Sequence, residues 1–221
     1  MCQPTYLLAN EFKEFEKEFL ETCLIRKRIE KGTIIYHQDD RRNFSYYIIS
    51  GVAAFFIGHE SGKDKLTTFR GEGTIFPLYY VNSRYNMENH LIVKAITDME
   101  VIMIPKNQLK NMMLLNPRMA VAMSETYCKY CSILLYDLEG QLFETYVSRT
   151  CNFLYIYSKY MKNLHVRLNH EEIAQATGIT RANVSRVISR LKKDEVIRNT
   201  REGFEIMDED ALLAMCSSDF S

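Results

Sequence analysis

The stretch from Asn169 to Lys193, NHEEIAQATGITRANVSRVISRLKK, constrains this chain more than any other. Asn169 with Glu172 three residues later is a capping-box pattern that starts a helix. Ala174 is small where two helices must approach closely. Gly178 supplies a turn in which a positive φ costs little, and Thr180 caps a second helix. Val184, Val187, Ile188 and Leu191 then fall at i, i+3, i+4 and i+7, one apolar stripe facing inward. The outer face carries Arg181, Asn183, Ser185, Arg186 and Arg190, with Lys192 and Lys193 at its end. The pattern predicts a helix-turn-helix whose second helix opens on a basic, polar face.

A surface helical hairpin in an unrelated domain is the plain alternative, and the flanks argue against it. Val196 to Met207 reads as two short strands around Arg201-Glu202-Gly203, a wing directly after the second helix. From Thr145 to Phe204 there are eleven Lys and Arg against five acids, a balance of +6 in a chain whose net charge is zero. A local basic face in a neutral chain is the electrostatic footprint of duplex binding. Thr180, Arg181, Asn183, Ser185, Arg186, Arg190, Lys192 and Lys193 are therefore the candidate DNA-binding residues. The two early arginines are placed to reach base edges, and the two late lysines to meet phosphate.

The rest of the chain changes period. Phe12, Phe15 and Phe19 are spaced for a short amphipathic helix. Short β-branched and aromatic runs follow at residues 33–36, 45–49, 52–57, 65–69, 91–95 and 101–104, separated by Gly- and Asp-containing turns. Such spacing predicts an all-β sandwich or roll. Pro105 to Asn116 reads as a helix, and Pro117 suits the first turn of another. That second helix carries Met119, Ala122, Met123, Thr126, Tyr130, Ile133, Leu134 and Leu138 as one long apolar stripe. About 25 residues at 1.5 Å each span nearly 40 Å, more than a small roll needs. Pairing with another chain is the expected use, and a two-fold dimer would offer two recognition helices to adjacent major grooves of a palindromic site. The expected fold is α+β: a sensor domain over 1–116, a dimerisation helix over 117–144, and a winged helix-turn-helix over 145–221.

Other function classes find little support. The chain start lacks a basic region followed by an apolar core, so no signal peptide is expected. No apolar run is long enough for a membrane span. Six scattered cysteines then read as reduced thiols in a cytoplasm. The five histidines show no metal-ligand spacing, and no metal or cofactor is expected. No Gly-rich phosphate loop, nucleophile elbow or His-Glu-x-x-His occurs, so an enzyme is not expected. A β-roll enzyme with an accessory helical domain is the remote alternative. Cys128 and Cys131 form a C-x-x-C on the long helix, where they are neighbours. They serve as small packing residues or, alternatively, as a thiol-redox sensor.

The order of these pieces resembles the Crp/Fnr family of bacterial transcription regulators. KGTIIYHQDD, YYIISGVAAFFI, GEGTIF, the long helix after NPRM, and GITRANVSRVISRLKKDEVI carry the resemblance over nearly the whole chain. It implies a β-roll sensor of the cyclic-nucleotide-binding-domain type, a dimerising helix, a winged-helix reader, and effector-dependent control of promoters. RNA polymerase is the implied partner if the regulator is an activator. Arg181, Ser185 and Arg186 fall where the family contacts DNA. Ala182 stands where a glutamate is common, and alanine cannot accept from cytosine N4.

The sensor departs further. Family members that bind cyclic nucleotides place Gly-Glu and Arg-Ser in the pocket. This chain has Pro77-Leu78-Tyr79-Tyr80 and Asn89-His90-Leu91-Ile92-Val93 there, and Leu134 and Leu135 where adenine meets hydroxyls. The resemblance is greater to the branch that senses halogenated phenols, which has a tyrosine near Tyr80. Tyr79, Tyr80, Tyr127, Tyr130 and Leu134 are the candidate effector-binding residues, and the expected effector is a small apolar or aromatic molecule rather than a cyclic nucleotide.

Overall fold

A computed structural model describes residues 6–23, 25–36, 44–60, 64–77, 91–160, 165–166, 168–201 and 203–217. Two units emerge. One runs from Leu7 to Ser132 apart from residues 63–66; the other holds Tyr6, residues 64–66 and the chain from Ile133 onward.

The first unit is built on two sheets. Strands β1 (Leu7–Leu8), β6 (Asp64–Arg70), β5 (Ala53–Gly58), β8 (Leu91–Ala95) and β3 (Ile34–Tyr36) lie in that order in one. Strands β2 (Arg26–Ile29), β9 (Met99–Pro105), β4 (Phe44–Ser50) and β7 (Ile75–Phe76) form the other. The long pairings are antiparallel, from Ala53 opposite Ala95 to Ile57 opposite Leu91 and from Phe44 opposite Pro105 to Ile48 opposite Val101. Ala53, Phe55, Val93 and Ala95 of one sheet share a buried cluster with Ile29, Ile48, Phe76, Met99 and Val101 of the other. This is the expected roll. Gly51 sits in one of its turns at φ +92°, where an added Cβ would come within 2.4 Å of the Asp98 carbonyl oxygen; only glycine fits. β2 escaped the sequence pattern because Arg26, Lys27 and Arg28 are all exposed, which suits a charged edge strand.

A second apolar cluster lies beneath the helices of this unit. Phe15 and Phe19, at a 3-10 turn and α1 (Glu16–Thr22), join Tyr47, Ile102, Ile104 and Leu109 of α2 (Lys106–Leu115). Met119, Ala122 and Met123 of α3 (Pro117–Phe143) complete it. α3 has two apolar faces rather than the single stripe expected. Met119, Ala122, Met123, Thr126 and Ile133 are buried within their own chain. The exposed large apolar residues are Val121, Leu135, Leu138, Leu142 and Phe143, of which Leu138 belongs to the predicted stripe. The reason is that the N-terminal part of α3 packs on its own chain through Met119, Ala122 and Met123, which takes up that part of the stripe first attributed to a partner.

In the second unit α4 (Tyr146–Tyr160) packs on α5 (His170–Thr177), α6 (Arg181–Lys193) and α7 (Glu209–Leu213). Cys151, Phe153, Leu154 and Ile156 of α4 are buried. A small antiparallel sheet, β10 (His165–Val166), β12 (Phe204–Ile206) and β11 (Ile197–Asn199), supplies the wing.

Candidate nucleic-acid interface

Local chemistry sets the two helices of the reader. The Asn169 side chain accepts from the Glu171 and Glu172 backbone N–H groups at 2.9 and 3.0 Å. The Glu172 carboxylate accepts from the Asn169 N–H at 2.9 Å, closing the capping box. α5 ends at Gly178, whose φ of 65° is the left-handed turn expected of it. Thr180 then caps α6, accepting from the Asn183 N–H at 3.3 Å. Val184, Val187, Ile188 and Leu191 are buried, so the stripe faces inward.

With that stripe anchored, the opposite face of α6 is set for solvent. Arg181, Arg186, Arg190 and Lys193 are exposed, and Asn183, Ser185 and Lys192 are half-buried. Arg181 sits at the N-terminal end, and Arg186 is steadied by donating to the Asn183 side-chain oxygen at 3.2 Å. Arg190 is drawn toward Asp194 at 3.6 Å. Lys192 lies over the Phe204 ring of the wing, 5.2 Å from its centroid.

Two features of the reader had no signal in the sequence. His170, the first residue of α5, meets the Ser185 hydroxyl at 2.7 Å and stacks on Phe204 with ring centroids 5.6 Å apart. Burial, then Lys192 and Arg181 nearby, lower its pKa below the usual histidine value, favouring the neutral ring. The C-terminal end of α5 is held by two cations. Lys65 Nζ donates to the Ala176 carbonyl at 2.7 Å, and Arg149 donates to the Thr177 carbonyl. Cations there complement the helix dipole. Lys65 also pairs with Asp137 of α3 at 2.7 Å, and Gln141 donates to the same carboxylate. Beside this cluster lies a polar, water-sized cavity of about 20 Å³, lined by residues that include Tyr6, Tyr136, Asn152 and Thr177.

Of the candidate effector residues, Tyr127 and Tyr130 on α3 are half-buried, as is Leu134. Tyr127 packs against the second apolar cluster. Tyr79 and Tyr80 lie outside the described residues. The structure adds Arg70 of β6, only 4% exposed. It donates to the Ile75 carbonyl at 3.1 Å. Its guanidinium lies over the Phe55 ring at 4.8 Å and the Tyr130 ring at 5.6 Å. A buried cation against Tyr130 makes this region less purely apolar than the sequence implied. The clue was an arginine at the end of an otherwise apolar-facing strand, LTTFR.

Among the described residues no three His, Cys, Asp or Glu side chains gather to hold a metal ion. No described helix is long and apolar enough to cross a membrane. Cys23 and Cys151 are buried, Cys216 is half-buried, and Cys128 and Cys131 are exposed.

Comparison with known proteins gives two family matches. Residues 26–116 match the cyclic nucleotide-binding domain, and residues 148–215 match the Crp-like helix-turn-helix domain. The cAMP-activated global transcriptional regulator CRP of Salmonella typhimurium is 23% identical over 185 residues, covering 81% of this chain and 87% of its own. A solved Crp/Fnr-family regulator from Eubacterium rectale superposes with a TM-score of 0.77 at 19% identity, over 90% of this chain and 93% of its own. The c-di-GMP-responsive global regulator CLP of Xanthomonas campestris gives 0.78 at 18% identity, over 88% and 98%.

Proposed function

This chain belongs to the Crp/Fnr family of transcription regulators, and on that premise we propose how it reads DNA and what controls it. It works as a homodimer on a palindromic duplex site, in the cytoplasm and without catalysis. Residues 1–116 are the sensor, 117–144 the dimerising helix and 145–221 the reader. RNA polymerase is the further partner if the regulator activates.

The observation that carries the reading is α6: a Thr180-capped helix with four buried residues, presenting Arg181 and Arg186 near its open end. An arginine there can make a bidentate contact to guanine worth about 1–3 kcal/mol of discrimination. Lys193, exposed at the far end, reaches phosphate. Binding titrations over a series of salt concentrations test the division. Arg181→Ala or Arg186→Ala relaxes sequence preference. Lys193→Ala weakens all sequences alike and flattens the salt slope by about one phosphate contact. If both arginine variants bind the specific site as the parent does, α6 is not the reading helix.

The effector is a small aromatic molecule bound against α3 rather than a cyclic nucleotide. Tyr130 and Phe55 offer ring faces, and Arg70 between them suits an acidic group on the ligand. Two relatives whose names state an effector differ between cAMP and c-di-GMP, so the family match leaves the ligand class open to this chain's own residues.

A further inference from the structure

The exposed face of α3 repeats at alternating spacings of three and four residues: Val121, Ser124, Cys128, Cys131, Leu135, Leu138 and Leu142. All seven are exposed, the four aliphatic ones by 56, 65, 52 and 65%. Such a repeat, with apolar residues at the a and d positions of a heptad, is the signature of a seam that packs against a helix of the same periodicity. The occupant that matches it position for position is a second copy of α3. Each α3 runs through Glu144 and Thr145 directly into its reader. A parallel pair brings both readers to one end of the seam, as neighbouring half-sites require. An antiparallel pair sends them to opposite ends.

In a parallel pair each a or d residue faces its own copy. Helix axes 8–10 Å apart, with Cα atoms on cylinders of about 2.3 Å radius, leave directly facing Cα atoms about 3.4–5.4 Å apart. That separation overlaps the span a disulfide needs. We propose that Cys128 and Cys131 join the two protomers through same-residue disulfides across the α3 seam, making this dimer a target of thiol oxidation. The inference rests on the dimerising role given to α3 above.

Three further observations favour these thiols. Cys23 and Cys151 are buried, and burial pushes the Cys151 and Cys216 thiols up to about 12, leaving little thiolate at neutral pH. Cys128 and Cys131 are the exposed cysteines among the described residues. Ser124, one layer before Cys128, makes the neighbouring layer polar and open to small oxidants. The oxidant class is a hydroperoxide. One thiolate attacks the peroxide oxygen and becomes a sulfenic acid, releasing one water after protonation. The partner's thiolate attacks that sulfur, forming the S–S bond and releasing a second water. Two thiols and one hydrogen peroxide thus yield one disulfide and two waters.

The test uses the full chain with hydrogen peroxide as probe. Sedimentation with dithiothreitol present first establishes the dimer. Oxidation, alkylation and a non-reducing gel then read the cross-link. The parent shifts from monomer to dimer mass, and dithiothreitol reverses the shift. Cys128→Ser and Cys131→Ser each retain a single linked layer, and the double variant stays at monomer mass while still sedimenting as a dimer. Oxidised parent also binds operator DNA independently of dilution, whereas the double variant loses binding on dilution through its dimer dissociation range. A reduced parent that dimerises but never cross-links overturns the inference and leaves the α3 seam standing. So does a cross-link that survives in the double variant, or a bond mapped within one chain. A reduced parent that sediments as a monomer overturns the seam itself, together with the inference.

Discussion

Ser185 is already engaged before any DNA arrives, because His170 holds its hydroxyl at 2.7 Å. A hydroxyl has one donor and two acceptor sites, so this contact orients Ser185 and leaves it capacity for phosphate. The contact also makes the reader sensitive to acid. Burial, Lys192 and Arg181 all disfavour the charged ring, so the folded chain holds its proton less tightly than the unfolded chain. Below pH 6.5 the unfolded state binds more protons, and stability rises with pH through that window. The contribution is complete above 6.5 and lost as pH falls through the lowered folded value. The melting temperature should fall between pH 7 and pH 5 more steeply for the parent than for His170→Asn; coincident profiles would remove His170 as the cause. Nothing in the sequence announced this pair, since a histidine and a serine fifteen residues apart have no pattern. The capping box at Asn169, the turn at Gly178 and the cap at Thr180 were legible because each is a local bargain between a side chain and its own backbone.

α3 shows why element existence was easier to read than element faces. Its length followed from an apolar repeat with no early breaker, and Gly140 did not stop it. Which apolar face belongs to the parent chain depends on packing distant in sequence, and the stripe from Met119 to Ile133 went to the chain's own core. Charge scanning separates the two faces. Leu135→Glu or Leu138→Glu places an unpaired charge in the dimer seam, where it costs several kcal/mol, and should sediment as a folded monomer. Ile133→Glu, at 3% exposure, should instead lower stability to urea. The Lys65 clamp on α5 is a second device hidden from sequence, since its partners lie 72 and 111 residues away. Lys65→Met leaves Asp137 and the Ala176 carbonyl short of a donor. Each mostly buried group left so costs about 1–3 kcal/mol. The urea midpoint should fall accordingly, and an unchanged midpoint would mean that solvent replaces the clamp.

At the scale of the whole molecule, a regulator must make effector and DNA aware of one another. If the effector favours the DNA-binding state, it raises DNA affinity by some factor, and DNA raises effector affinity by that same factor. Such factors usually fall between about 5 and 150. Calorimetry on the dimer, with and without operator duplex, measures both sides of the cycle. The panel should hold cyclic AMP, cyclic GMP, neutral phenols and aromatic carboxylates. Arg70, lying against Phe55 and Tyr130, favours the carboxylates. A buried cation gives an acid a charge-assisted partner that a neutral phenol uses less well. Aromatic acids should therefore bind more tightly than their uncharged analogues, with affinities that rise when operator is present. Arg70→Leu should erase the preference for the acid while sparing operator binding by the unliganded dimer. Cyclic nucleotides should give no heat, because residues 77–80 and 89–93 lack the Gly-Glu and Arg-Ser with which related sensors hold the ribose and phosphate. Micromolar cyclic AMP or cyclic GMP binding that strengthens operator binding by an equal factor would overturn the assignment of an aromatic effector.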